Sequence, residues 1–467
     1  MPGKRRRLAG RRRVVGYTQE QFAEVLEVER STVVRWETGE TTPQPWCRPK
    51  LAEALGVSVD ELDAMLVEGQ TDDDGRPPSS SQPRAKGQLR DGDAVEELPD
   101  RERDPVLVAP WNHRGTVEAA VMVSAGGGVQ RRALLSLTGT ALTAPAHQWL
   151  VHEPGPLVSG LSGRRVTAGL ADQLTAMVTE VRKMDDIAGG GSVLSLAAHE
   201  FSWVAGLLDH AVYDERTGRM LYVVLAELGQ VCGWAAYDSG HQALAQRYYI
   251  AALRATHSAD DRPLGAHILS CMAEQAGRQG QPAEAVTLIE TALAGTRGRE
   301  IPSLLTELYG RQAYAFAVLG DVSGCNAALS NLRTQIARLT PGAGPSWLYW
   351  VNQAHMTGEL GNALRQLGRT EQAAAVLENS IAMFDYSLPS SRAGYLIALA
   401  DVLARPGKQR DLDVAASRGM EAIQLVENLD SARLVGLIRT LSHQLTPHAT
   451  VPAIGDFVER ARGLVTV

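Results

Sequence analysis

Three glycines at equal intervals, Gly240, Gly280 and Gly320, constrain this chain more than any other feature of its sequence. Each lies 40 residues from the next and divides two apolar segments whose large side chains recur every three or four positions, the period of a buried helix face. Glycine allows the sharp turn that joins two antiparallel helices. Small residues follow each one (Ala243 with Ala245, Ala283 with Ala285, Ala327 with Ala328), so the second helix of a pair can lie close against the first. Another pair turns near Gly368, with Ala373 to Ala375 behind it, and a more degenerate one near Pro406 and Gly407. Units repeated in this way bury their apolar faces on their neighbours. The pattern predicts an all-α chain, with stacked helix pairs over residues 166–467 and no strands.

The segments Gln242 to Leu253 and Ala283 to Leu293 resemble the second helix of a tetratricopeptide repeat, over a longer interval than that family's usual unit and with a poor first-helix signature. The resemblance implies a tetratricopeptide-like superhelix with a concave face; a generic helical bundle is the alternative. A concave helical face suits an extended peptide or a partner helix. Trp203, Trp234, Tyr237, Tyr248, Tyr249, Trp347, Tyr349 and Trp350 are candidates to line it, with Asn352, Asn362 and Arg365 to bond a peptide backbone or carboxylate. The same aromatics at helical spacing also suit the core between repeats.

Ahead of the repeats the composition changes. Residues 67–115 carry Asp72 to Asp74, Pro77 and Pro78, Ser79 to Ser81 and scattered charge, too little apolar surface to offset ordering, and are expected to be a disordered linker. Residues 116–165, broken by Gly126 to Gly128 and Pro154 to Pro156, read as a connector whose short helices dock on the next domain. Within it, Arg131 and Arg132 before an apolar run imitate a twin-arginine export signal, but so far inside the chain an internal helix is the expectation. No stretch reads as a membrane span and no secretory signal follows the first residues, so a cytoplasmic location is expected. Cys47, Cys232, Cys271 and Cys325 lie far apart, which excludes a zinc ribbon or CxxC site and suits a reducing compartment.

Residues 1–66 read as a compact unit of short helices. Thr18 suits an N-cap, with Gln21 three positions on as in a capping box, and Phe22, Ala23 and Leu26 supply an apolar face. A short turn leads to a second helix from Ser31 to Glu37, ended by Gly39, on which Val33 and Trp36 close over the first together with Val28. A further helix spans about Trp46 to Leu55; Trp36 and Trp46 are expected in the core. Two short helices joined by a tight turn can set the second into a major groove. The chain carries a net charge of −7, yet Lys4, Arg5, Arg6, Arg7, Arg11, Arg12 and Arg13 crowd its start, a local anion-binding arm or a solvated terminus.

Thr18 to Glu20, Ala23, Val28, Ser31 to Val33, Arg35 to Glu37, Gly39, Pro43 and Leu51 to Ser58 together resemble the Cro/C1-type (Xre) helix-turn-helix family. The resemblance implies double-stranded DNA as partner, a phosphate contact from Gln19, and a groove-reading surface of Arg30, Ser31, Thr32 and Arg35. The chemistry agrees: arginine bonds bidentately to guanine O6 and N7, and short hydroxyl side chains reach phosphate or base edges. Arg35 has an alternative partner in Glu37, and Arg30 is as readily a solvated helix-start arginine. Two departures bear on affinity: Glu27 stands where the family has a turn glycine, and Glu29 where it has a Ser or Thr cap. Pro43 to Ala52, Ala141 to Trp149, Tyr237 to Gly240 and Leu244 to Tyr249 further resemble a group of actinobacterial regulators that join this module to a tetratricopeptide-like domain.

Enzyme readings do poorly. His199 and Glu200 lack the second histidine of a zinc-protease helix, Gly189 to Gly191 follow no strand, and no Ser-His-Asp or Cys-His set is indicated by spacing. Neither metal nor cofactor is expected. The expectation is a DNA-binding regulator, homodimeric because such proteins commonly read two half-sites, with the repeats serving dimerisation, effector sensing or both. The competing class is a repeat-based interaction scaffold with a vestigial DNA-binding head.

Overall fold

A computed structural model describes residues 12, 18–26, 28, 30–38, 41, 43, 50–52, 62 and 66 at the N-terminal end, and 104–124, 135–155, 163, 165–340, 342–384 and 388–464 beyond. The chain divides into two compact units, Met1–Val95 and Glu96–Val467. Both are helical; among the described residues the sole extended pairing is an isolated bridge between Arg165 and Val212. The all-α expectation holds.

In the first unit, helices Gln19–Leu26 and Arg30–Thr38 pack on one small core. Phe22, Ala23 and Leu26 from the first and Val33 and Trp36 from the second meet Leu51, Ala52, Leu62 and Leu66, with Val28 half-buried beside them. The amide of Val28 donates to the carbonyl of Ala23 (3.0 Å), which tightens the exit of the first helix. Glu27, Glu29, Trp46 and the remaining N-terminal arginines lie outside the described residues, as does the side chain of Gln21.

The second unit is an array of helix pairs. Glu215–Asp238 packs on Gln242–Ala259, Arg262–Arg278 on Pro282–Gly295, Pro302–Leu319 on Val322–Ile336, Gln353–Gln366 on Thr370–Met383, and Pro389–Ala404 on Leu412–Val426. The glycines of the sequence pattern sit at these turns: Gly240, Gly280, Gly320 and Gly368 have φ between 73° and 87°, a region closed to most side chains. Behind them Ala245, Ala285, Ala328 and Ala373 are fully buried at the crossing of each pair. The helix Glu215–Asp238 is long and apolar enough to cross a membrane by length and composition, contrary to the sequence reading. Here 83% of its most apolar window is buried inside the protein, because it packs on helices of both flanking layers.

The linker expected over 67–115 ends earlier, and the connector is not separate from the repeats. Helices Pro105–Val108, His113–Ser124 and Thr140–Val151 contribute Val106, Ala119, Ala120, Leu142 and Trp149 to the same core as the repeat helices. The physical reason is a set of deep anchors. Arg254 is fully buried with no carboxylate near it; its Nε and two Nη atoms donate to the carbonyls of Val106, Pro110 and Leu107 at 3.1–3.2 Å, and its guanidinium lies 4.5 Å over Trp111. Burial pushes its pKa down to about 10. Trp149 fills a slot that exists because Gly265 and Gly295 lack side chains; a Cβ at either would stand within 2.5 Å of the indole. The rest of the expected linker, 67–103, lies outside the described residues.

The two ends of the array meet. The helix Ala168–Ala188 turns at Gly189 into Gly190–His210, and this turn docks on Asp430, just before helix Ala432–Leu445. Asp430 donates its amide to Ala188 (2.8 Å), and its carbonyl accepts from Gly191 (3.0 Å). Asp238 accepts from Ser431 Oγ (2.9 Å) and from Arg433 Nε (2.8 Å). The three glycines are therefore a closure element: Cβ atoms at 189, 190 and 191 would lie under 3.0 Å from Asp430, Ala235 or Asp238. Gly189 also takes φ 84° with ψ 162°, a combination reserved for glycine. Gly189→Ala is expected to cost at least about 2 kcal/mol through strain and collision, read as a lowered midpoint in urea unfolding. Gly206→Ala, which meets nothing within 4 Å, should leave the midpoint unchanged or raise it.

Candidate functional site

The helix Arg30–Thr38 divides its residues by spacing. Val33 and Trp36 face the core, and the other side forms a shallow open depression lined by Arg30, Ser31, Val34 and Arg35. Three of the sequence candidates are thus brought together on one exposed surface, while Thr32 is half-buried at its edge. Arg35 Nη2 reaches Ser31 Oγ at 3.4 Å, one turn back along the same face. Two cations and a hydroxyl on a convex helix match what a base edge and its flanking phosphates require.

Glu37 is not the partner of Arg35. Its carboxylate is held by Arg12 (Nε at 2.7 Å, Nη2 at 3.3 Å) and by Gln19 Nε2 (2.7 Å), and both ionic side chains are at most 10% exposed. This corrects the reading of Arg12 and adds a role for Gln19. Arg12 is not part of a solvent-facing arm but a buried ion-pair partner. Gln19 spends an amide hydrogen on tying the first helix to the second, so whatever phosphate contact it makes comes from a side chain already anchored. Sequence reasoning missed this triad because Glu37 lies 18 residues from Gln19 and 25 from Arg12, with no local pattern to join them.

Residues 5–65 match the family model described as a helix-turn-helix domain. The chain carries a helix-turn-helix domain, the module of DNA-binding regulators. No curated protein matches the chain.

The second unit holds another constellation. The first helix of each pair faces inward, and together with the closure turn they surround a cavity of about 110 Å³. Its walls include Arg182, Asp185, Asp186, Trp234, Trp347, Tyr349, Trp350 and His355. Of the aromatic candidates, Trp234, Trp347, Tyr349 and Trp350 line it. Tyr237, Tyr248 and Tyr249 are buried core, and Trp203 is exposed at 44%. An adjoining cavity of about 90 Å³ receives Asn362 and Arg365, whereas Asn352 accepts from the His355 amide as a helix N-cap.

His267, Cys271 and Glu307 meet in the cavity wall, all buried and with donor atoms within 4.8 Å of one another. Glu307 takes the Nδ1 edge of the imidazole (2.9 and 3.0 Å) and also accepts from Ser270, while Cys271 Sγ lies 4.0 Å from Nε2 on the opposite edge. One ion could not ligate all three through a single nitrogen without breaking the His267–Glu307 bond. The set is an ion pair with a thiol at its far end. Burial alone would depress the His267 pKa; Glu307 and then Cys271 overcome it and raise the value to about 10.

Two outcomes test these readings. Glu37→Ala leaves Arg12 buried without its anion and should cost about 3–5 kcal/mol, seen as faster amide exchange across residues 19–38; Arg12→Met with Glu37→Leu should recover most of it. Because the folded His267 pKa lies above its ordinary 6.5, its stabilisation is complete below that pH and fades as pH rises through about 10. Glu307→Gln should lower the melting temperature at pH 7 and flatten its fall between pH 7 and 10.

Proposed function

We propose that the protein is a sequence-specific DNA-binding transcriptional regulator of the Cro/C1 type, in which the helical repeats form a tetratricopeptide-like effector domain. The observation that carries this reading is the exposed Arg30, Ser31 and Arg35 surface on the second helix of a helix-turn-helix domain. The helix itself is anchored from behind by buried Val33 and Trp36 and by the Glu37 ion pair. A rigidly held helix with a cationic outer face is what groove reading requires.

Effector sensing is favoured over a purely structural role for the repeats because their interior keeps a cavity lined with ionisable and aromatic side chains. Ion pairs between layers can serve register alone, but a buried carboxylate and imidazole with unsatisfied atoms beside a cavity cost desolvation without that return. The reading is non-catalytic and places the protein in the cytoplasm with the DNA it reads, acting as a homodimer on paired half-sites. The alternative, an interaction scaffold with a vestigial head, predicts no preferred sequence.

Bound DNA recovered from cells and sequenced should yield a common site. On that site Arg30→Ala and Arg35→Ala should each weaken binding by roughly 1–3 kcal/mol, about 5- to 150-fold, and reduce the salt slope. A wild type without a preferred site, or variants that bind it equally well, would overturn the regulator reading.

A further inference from the structure

The charges around the repeat cavity do not balance, and the imbalance is local. Arg182 pairs with Glu227, and His267 with Glu307. Arg311 and Arg278 share Glu274 and Glu359 between them, and Arg433 pairs with Asp238. Every cation that lines or backs the space is matched in this way. Two carboxylates are left over, Asp185 and Asp186, adjacent in sequence at the end of helix Ala168–Ala188.

Among the described residues Asp186 has the Tyr349 hydroxyl as its one hydrogen-bond donor, and the Oδ1 of Asp185 is shut off from solvent without a partner. A second orphan lines the same cavity: Nδ1 of His355, a residue 91% buried by its 9% exposure, also lacks a partner. Buried polar atoms are rarely left unsatisfied in a folded protein, so two facing one cavity mark a place where something else supplies the bonds. Between them stand Trp234, Tyr349 and Trp350, each partly exposed.

We propose that this cavity binds a small organic cation, a primary ammonium or guanidinium group carrying an apolar or aromatic body. Asp185 and Asp186 take the charge, and the faces of Trp234, Tyr349 and Trp350 take the body. Aromatic faces attract cations and stack on flat apolar groups, and charge-assisted hydrogen bonds to paired carboxylates fix the head. A carboxylate or phosphate ligand is disfavoured because no lining cation is unspent. A calcium or magnesium ion is disfavoured because it demands about six oxygen ligands where the walls around Asp185 and Asp186 offer indole and phenol. With each water-sized group needing roughly 10–15 Å³ of such space, the 110 Å³ cavity admits about seven to eleven heavy atoms.

Titration agrees with this geometry. Burial raises the pKa of Asp185 well above its ordinary value, helped by the charges of Asp238 and Asp186 and opposed by Arg433. Burial likewise raises Asp186 to about 6 against the pull of Tyr349 and Arg182. An organic cation beside these carboxylates favours their ionised form, so its binding is linked to proton release.

The proposal rests on the effector-sensing reading for its biological role but not for its test. Isothermal titration of the full chain with phenethylamine and agmatine should show binding and proton release, seen as heats that differ between buffers of unlike ionisation enthalpy. Phenethyl alcohol and phenylacetate should bind at least tenfold more weakly than the amine. Asp185→Asn and Asp186→Asn keep the shape of the side chains and remove their charge; they should keep the melting temperature while weakening the amine at least tenfold, and Trp350→Leu should weaken phenethylamine more than agmatine. A short peptide with a free amino terminus, beside its acetylated form, distinguishes the source: preference for the free peptide assigns the ammonium to a peptide, and preference for phenethylamine or agmatine assigns it to a free metabolite. Equal binding of the alcohol, tighter binding of the acid, unchanged affinity in the Asn variants, or no binding by either amine or the free peptide would each overturn the site. If the amines bind and DNA affinity does not change with them, the site stands and the sensing role fails.

Discussion

The repeat unit depends on the closure between its first and last layers. Asp430 exchanges two backbone hydrogen bonds with the turn around Gly189, and Asp238 takes Ser431 and Arg433 beside it. An open superhelix would present its inner helices to water. Once the ends are joined, the same side chains line a partly open cavity, and their ionic bonds act in a medium of lower dielectric than solvent. Burial raises Asp185 and Asp186, whereas His267 rises against its burial through Glu307 and Cys271.

Closure also changes what the inner polar residues must do. Glu274, Arg311, Glu359 and Tyr395 form a ladder from one layer to the next, with Arg311 bonded at 2.6 Å to Glu274 and at 2.8 Å to Glu359, and Tyr395 at 2.8 Å to Glu359. Buried ionic groups of this kind add little net stability compared with apolar replacements, yet breaking one partner is costly. Their effect is to hold the layers in one register. The helix-turn-helix unit uses the same device on a smaller scale, where Glu37 holds Arg12 and Gln19 and so sets the second helix on the first.

Much of this was legible in the residues. The spaced glycines marked the hairpin turns, the alanines behind them marked the close crossings, and the periodicity of Val33 and Trp36 left Arg30, Ser31 and Arg35 on the outer face. The interval contained more than it was read for. His267 lies 40 residues from Glu307, and His355 40 residues from the Tyr395 hydroxyl that bonds its carbonyl. Side chains at equivalent positions of successive pairs touch, so a search for complementary chemistry at the repeat interval would have found the His267 pair. Arg12 and Arg254 had no such signal. An arginine near a basic terminus reads as a phosphate contact, and an arginine on a helix reads as solvated, until a carboxylate or a set of carbonyls is found behind it.

Local pattern alone decided that the chain is helical, where its pairs turn, and which face of the short second helix near the N-terminus points away from the core. Those properties follow from periods of three to four residues and from backbone freedom at glycine. Tertiary structure decided the rest: that Pro105–Val108 and Thr140–Val151 belong to the repeat core, that Gly189 to Gly191 serve close approach, and that Asp185 keeps a buried oxygen without a hydrogen-bond partner among the described residues. Each is a matter of which distant groups share one space, and ion pairing and burial are set by that proximity rather than by order along the chain.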